Sequence, residues 1–292
     1  MSLRLITFNV QYGRGQDGVN DIARCAEVVR GFDIVALQEV ERFWERSGDL
    51  DQPARLAELL GDHWTAYGPA VDVLKQRAPG PRGAVRRQFG NMVLSRFPIL
   101  AVRNLILPRR ALITRPTLQR AALEVIVDVG GRLLRVISTH LDHVSPSTRA
   151  MQAEALVKIL QAAPLEGGQE HGEAPSPAWR EAITAPEPPA DTVLMGDLNA
   201  PSAEPAYETL VGEVDSFYGR LAHADRFADA WLLAGHDEAG GHTWFNDPAQ
   251  RRQGRRIDYV LVSAGLAPLV RTAEVIDTDV SDHLPVAVTL AI

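Results

Sequence analysis

The chain has 292 residues, 46% of them hydrophobic, a formal net charge of −7 and one cysteine, Cys25. That length and apolar content suit one large α/β domain, and the acidic balance excludes gripping long nucleic acid through overall charge while leaving room for local basic patches. A single cysteine excludes an intrachain disulfide and a cysteine-based zinc site.

Residues 3–10 read as a first strand, and nothing before them resembles a secretory signal. Asn20 is a candidate cap for a helix with Ile22, Ala26 and Val29 on one face and Gly31 at its end. An apolar strand over 33–38 then delivers Glu39. Pro53 opens and Gly61 closes a helix over 54–60. Strand-like runs follow at 91–95, 99–107, 118–129 and 133–139, the last two joined by a Gly130-Gly131 hairpin turn. Ser145-Pro146 starts a helix carrying Met151, Leu156, Ile159 and Leu160. Strands resume at 192–195, 257–262 and 285–290.

The stretch 162–190 carries Pro164, Pro175, Pro177, Pro186, Pro188 and Pro189, a composition expected for a flexible surface insertion within a single domain spanning 1–292. Two basic stretches, 75–88 with Arg77, Arg82, Arg86 and Arg87, and 251–256, are either solvated loops or a means of drawing in an anionic substrate. His63, His171, His223 and His236 have no partner motif and are expected at the surface, while Trp44, Trp64 and Trp231 are expected in the core or its rim. No run approaches the ~20 apolar residues of a membrane span. The expectation is a soluble, cytoplasmic chain with no obligate protein partner.

Six polar clusters adjoin the apolar runs: Thr7-Phe8-Asn9, Gln38-Glu39, Thr139-His140, Gly196-Asp197-Leu198-Asn199, Arg256-Ile257-Asp258 and Ser281-Asp282-His283. Cleaving a phosphoester requires a cation against the phosphoryl oxygens, a base for water and donors that hold the phosphate in line. Carboxylates, amides and histidines are what that task uses. Glu39 offers a hard oxygen suited to Mg²⁺ or Mn²⁺. Asp197 and Asn199 flank Leu198, so an extended chain would aim both one way, whereas an Asx turn would spend them locally.

In this order the motifs resemble the endonuclease/exonuclease/phosphatase superfamily, which includes DNase I-like nucleases, abasic-site endonucleases, inositol polyphosphate phosphatases and neutral sphingomyelinases. The resemblance runs from Asn9 to Pro285 and rests on the ordered set, not on any single tripeptide. It implies a four-layer α/β/β/α sandwich: two mixed β-sheets face to face, helices outside, and a cleft at one end. It implies Glu39 as principal metal ligand with Asn9 and Asp282 beside it, Asp197 as the base and Asn199 orienting water or phosphate. His283 would contact the phosphoryl oxygens with Asp258 on its other N–H, and His140 would face the phosphate or leaving group. Arg120 falls where phosphatase-like members have a phosphate-contacting arginine. Relatives place a Thr-aromatic pair at Thr243-Trp244 on the cleft wall, although Trp244 could equally pack on the core.

Two departures bear on substrate. Gln11 stands where abasic-site endonucleases carry Asp, which argues against that subgroup. The extended Thr139-His140-Leu141-Asp142-His143 is similar to bacterial members described as metal-dependent hydrolases, and Asp142 and His143 either line the substrate pocket or cap the next helix. The expected activity is a Mg²⁺- or Mn²⁺-dependent phosphoesterase acting on a small phosphorylated metabolite or lipid headgroup. A Mg²⁺-dependent nuclease is the alternative, and a non-catalytic binding module on the same fold is the second. A zinc enzyme built on His140, Asp142 and His143 is a further rival that leaves Asp197, Asn199, Asp258 and Asp282 unexplained.

Overall fold

The computed structural model describes residues 1–76, 84–180, 185–245 and 254–292. In chain order its elements are β1 Ser2–Asn9, α1 Ile22–Val29, β2 Ile34–Arg42, α2 Gln52–Leu59, β3 Trp64–Gln76, β4 Val85–Ser95, β5 Ile99–Ile106, β6 Ala121–Val129 and β7 Arg132–His140. They continue as α3 Pro146–Glu166, β8 Thr192–Asp197, α4 Pro205–Val211, β9 Val214–Asp215, β10 Gly219–Arg220, β11 Phe227–Asp229, α5 Ala230–Leu233, β12 Asp258–Ser263, β13 Val270–Val275 and β14 Val286–Ala291.

Two six-stranded sheets carry the fold, one ordered β13-β14-β1-β2-β4-β3 and the other β11-β12-β8-β7-β6-β5. Each is mixed: β1 runs parallel to β2 and β7 to β8, and the remaining pairs are antiparallel. The two-residue side-chain period sorts the apolar residues into layers. Leu3, Leu5, Ile34 and Ala36 of the first sheet meet Leu134, Val136, Val193 and Met195 of the second in a core between the sheets. On the outer face of the first sheet, Ile6, Phe8, Val35 and Leu37 pack under Ile22, Cys25 and Ala26 of α1 and Leu56 of α2. On the outer face of the second, Ile137, Leu194 and Leu261 pack under Leu156 of α3 and Leu210 of α4. The result is the four-layer α/β/β/α sandwich.

The expected strands and helices are present with shifted ends. Asp21 rather than Asn20 caps α1, its carboxylate accepting from Ala23 N–H, because Asn20 has turned its amide to the Arg46 carbonyl. Ser145 caps α3 by accepting from Thr148 N–H, and that helix continues through Pro164 to Glu166, so the Pro-rich stretch begins later than its composition implied. Residues 181–184 of that stretch, and Arg77, Arg82, Arg251 and Arg252 of the basic ones, lie outside the described residues. The rest of 75–88 is not a loop: β3 runs to Gln76 and β4 starts at Val85. Arg256 is buried, paired with Asp229 at 2.5 Å and set over the Tyr259 ring, so it too departs from a solvated loop.

Sequence reasoning missed β3, which holds Gly68 and Pro69 mid-run. As the outermost strand of its sheet it tolerates a residue without N–H, and a bulge falls between Pro69 and Val71. β11, β13 and α4 are short and were likewise not read from the pattern. His63 is not at the surface: its side chain is 1% exposed, between Asp62 and the Phe32 carbonyl. Trp64 is 55% exposed, outside both core and rim.

Gly130 and Gly131 both take positive φ, 64° and 94°, as a tight hairpin between β6 and β7 demands. Gly196 in β8 has φ 149°, and a Cβ there would run into the Thr139 carbonyl on the neighbouring strand. Gly196→Ala is therefore expected to destabilise the fold by about 2–4 kcal/mol through overpacking and backbone strain. Urea denaturation measures this, and an unchanged midpoint would show that β7 and β8 separate more freely than their pairing implies.

Candidate active site

Along the inner face of each central strand, apolar residues give way to polar ones toward one end of the sandwich. β1 presents Leu3, Leu5, Thr7 and Asn9; β7 presents Leu134, Val136, Ser138 and His140; β8 presents Val193, Met195 and Asp197. The first polar layer seals the core. Thr7 Oγ1 donates to Gln38 Oε1 at 3.3 Å, Gln38 Nε2 crosses to Ser138 Oγ at 3.1 Å, and Asn91 Nδ2 donates to the Ala121 and Ser138 carbonyls at 2.9 and 3.2 Å. Each of these buried donors has an acceptor, as a dry environment requires.

The next layer gathers ionisable side chains. Strand register pairs His140 with Asp197 and Asp197 with Asp258, which sets three functional side chains in one row across β7, β8 and β12. β1 and β2 face that row with Asn9 and Glu39. A strict alternation would turn Glu39 away after Gln38. Instead Glu39 takes φ 61° at an irregularity in the β2–β4 pairing, and this left-handed residue brings its carboxylate to the cleft. Asp282 and His283 arrive on the turn before β14. Ser281 Oγ holds that turn by donating to the Asn9 carbonyl at 2.7 Å and accepting from His283 N–H at 3.2 Å.

Asp197 is the hub, 1% exposed. Its Oδ2 accepts from Asn9 Nδ2 at 3.0 Å and lies 3.3 Å from His140 Nε2 and 3.7 Å from His283 Nε2, while Oδ1 accepts from Asn199 N–H at 2.8 Å. Burial and the neighbouring Asp258 push its carboxyl up to about 7, against His283 and the hydrogen bonds. His283 Nδ1 meets Asp258 Oδ2 at 2.8 Å. Burial alone would lower its pKa, but Asp258 and Asp197 outweigh it and lift the ring to about 10. Thr243 Oγ1 accepts from the N–H groups of Ile257 and Asp258 and fixes the start of β12.

His140 takes the opposite charge state. Burial, with Arg120 and His283 beside it, holds it well below its ordinary value. Arg120 is 3% exposed; its guanidinium reaches His140 Nδ1 at 3.1 Å and His143 Nδ1 at 3.3 Å, and burial lowers its own pKa against the pull of Glu39 and Asp197. Asn199 is not extended, with φ 49°, and forms the Asx turn while its amide still lies against His140. Its backbone N–H closes the turn on Asp197, and its amide lies 2.9 Å from His140 Nε2 while donating to the Leu141 carbonyl.

Glu39, Arg120, His140, His143, Asp197, Asn199, Asp282 and His283 line one cleft of about 540 Å³, with Phe89, Trp244, Arg46 and Arg255 also on its walls. Trp244 pairs with both Arg255 and His283 and so belongs to the cleft wall. Asp142 does not line it. Its Oδ1 accepts from Val144 and Ser145 N–H at 2.9 and 2.7 Å, closing the turn that leads into α3, which Ser145 itself caps. With Arg120 bonded to both His140 and His143 and Asp142 turned away, those three residues do not converge as zinc ligands. Sequence reasoning missed Ser281, Arg46, Arg149 and Glu204 as site residues. Ser281 was visible beside Asp282, but the other three carry no motif.

Asp197, Asp258 and His283 place ligand atoms within 4.8 Å of one another. Glu39 lies close enough to Asp282 for their charges to interact, and burial raises its carboxyl above the usual range. Asp258 Oδ1 is buried with no hydrogen-bond partner among the described residues. With His283 protonated on Asp258, that trio is not the better donor set; Glu39 and Asp282, two carboxylates lining the cleft close to each other, fit a hard divalent cation. Among the described residues, no helix is long and apolar enough to cross a membrane.

The sequence profile of the Endonuclease/Exonuclease/phosphatase family matches residues 6–283. No curated protein sequence gives a significant match. Among solved structures, the chain is similar to an endonuclease/exonuclease/phosphatase from Beutenbergia cavernae, at 28% identity and TM-score 0.68, covering 100% of this chain and 72% of that one. It is also similar to the mannosyl-6-phosphatase of Bacteroides thetaiotaomicron, at 18% identity and TM-score 0.67 over 99% and 100% of the two chains. Truncated TDP2 of Caenorhabditis elegans aligns at 18% identity and TM-score 0.61 over 100% and 98%. The two more distant likenesses show a shared fold, and the family profile spanning nearly the whole chain decides the rest: the protein belongs to the endonuclease/exonuclease/phosphatase family and is a metal-dependent phosphoester hydrolase.

Proposed function

We propose that this chain hydrolyses a mono- or diester of a small phosphorylated metabolite or lipid headgroup, with Asp197 as the base that activates water. The observation that carries the reading is Asp197 itself: a buried carboxyl raised to about 7, ringed by an amide and two imidazoles of opposite charge state. A carboxyl near neutrality can take a proton from water and release it again. Asn199 holds its amide toward the same space and orients the water or the phosphate. His283, kept charged by Asp258, donates from Nε2 to a phosphoryl oxygen. Neutral His140 and Arg120 add donors from the far wall and favour negative charge as it develops there.

Mg²⁺ or Mn²⁺, held by Glu39 with Asn9 and Asp282 beside it, would supply Lewis-acid offset of phosphoryl charge. The cleft's size supports a small substrate, since about 540 Å³ falls within the range of small-molecule pockets. Arg46 and Arg255 on its walls keep a nucleic-acid substrate as the alternative.

p-Nitrophenyl phosphate or its bis ester, assayed with EDTA and then with excess Mg²⁺ or Mn²⁺, is expected to show turnover abolished by chelation and restored by either ion. In that assay Asp197→Asn and His283→Ala are each expected to lower kcat by at least ~10²-fold while circular dichroism stays native. Near wild-type turnover in either variant would overturn the roles assigned to Asp197 and His283.

The same two groups make stability depend on pH. A group whose folded pKa is raised stabilises fully below its unfolded value, and that contribution is lost as pH rises through the folded one. For Asp197 the loss runs from 3.8 to about 7, and for His283 from 6.5 to about 10. The EDTA-treated chain should therefore lose thermal stability between pH 6 and pH 10, with Mg²⁺ restoring more at the alkaline end. Scanning fluorimetry across that range tests it, and a flat profile would contradict the assigned charge states.

A further inference from the structure

Arg46 lies outside the catalytic row, on the segment after β2, yet lines the same cleft. Its guanidinium sits 4.3 Å from the Tyr12 ring centroid and 4.7 Å from that of Trp44, between two aromatic groups. Nε and Nη2 are taken by Glu41, whose side chain is fully buried, while the arginine keeps 43% of its side chain exposed. Behind it Arg87 covers Trp44 at 4.4 Å and also acts on the Glu41 charge. The Trp44 ring thus has two guanidinium groups against it, and one of them, Arg46, is anchored on the buried Glu41 carboxylate.

A guanidinium held by rings and a buried acid has lost most of its rotamer freedom before any ligand arrives, so an anion meeting it incurs little ordering cost. Nothing in the proposed chemistry employs it. The scissile phosphate is already met by His283, His140, Asn199 and Arg120, and a further fixed cation on the wall answers a further negative charge. We infer that Arg46 is a second phosphate-binding position, and that the preferred substrate is a small molecule bearing a second phosphoryl group besides the one cleaved. This rests on the phosphoesterase reading for what happens at the first phosphate, but binding at the second does not require turnover.

Non-hydrolysable probes separate the two. Titration calorimetry in Mg²⁺ with propylphosphonate and with the linear bisphosphonates from propane-1,3- to hexane-1,6-bisphosphonate scans the unknown spacing without chelating at adjacent carbons. The wild-type chain is expected to bind the best-spaced bisphosphonate about tenfold tighter than the monophosphonate, and Arg46→Gln to lose that advantage. Because Arg46→Gln leaves the Glu41 carboxylate buried without its ion-pair partner, Glu41→Gln/Arg46→Gln removes both charges and is expected to lose the advantage as well. Equal affinity for mono- and bisphosphonates at every spacing, or an advantage surviving in both variants, would overturn the inference. An oligothymidylate that binds tighter than every bisphosphonate, with a preference lost in the variants, would overturn the small-molecule assignment in favour of a nucleic-acid backbone. Failure of p-nitrophenyl phosphate turnover alongside a retained bisphosphonate preference would instead strike the phosphoesterase reading alone.

Discussion

A carboxylate shut away from water is costly unless charge and donors answer it, and the polar end of this molecule is organised around that condition at Asp197. Asn9 comes from the opposite sheet, Asn199 from the turn beyond β8, His140 from the neighbouring strand and His283 from a loop 86 positions further along the chain than Asp197. Four separate segments of the fold therefore meet at one carboxylate.

Sheet geometry explains how so many segments meet. A strand shows the same face every second residue, so one parallel pair in the middle of each sheet points its inner-face ends toward the same cleft. Leu5, Thr7 and Asn9 record the passage from core to seal to site within a single strand, and Val136, Ser138 and His140 repeat it across the interface. Gln38 and Ser138 join the two halves at the seal. The rule is broken at Glu39, whose left-handed backbone brings its carboxylate to a space the strand would otherwise turn it from.

Charge is divided with equal economy. Two histidines sit within 4 Å of one carboxylate, yet Asp258 and Asp197 keep one protonated, while burial, with Arg120 beside it, keeps the other neutral. A cleft that must hold a divalent cation and a phosphate needs both kinds of group, since acids alone would repel the substrate and bases alone would repel the metal. Arg46, against the Tyr12 and Trp44 rings, adds a further cation to the cleft wall.

Much of this was legible in the chain. Apolar runs with a two-residue period located the central strands, and the ordered clusters at their ends named Asn9, Glu39, His140, Asp197, Asn199, Asp258, Asp282 and His283, because short-range pattern and motif both lie along the sequence. The edge strand β3 was not legible, since Gly68 and Pro69 break the pattern and an outer strand tolerates them. Nor was Asp142's turn toward Val144 and Ser145 N–H, where two readings were open and only hydrogen-bond partners separate them. Arg46, Arg149 and Glu204 reach the cleft from loops and helix starts whose positions depend on packing among distant elements. By itself the sequence determined which side chains could do the chemistry. The tertiary structure decided which of them share a cleft, which are charged and which merely hold a turn, because those properties come from burial and from neighbours far apart along the chain.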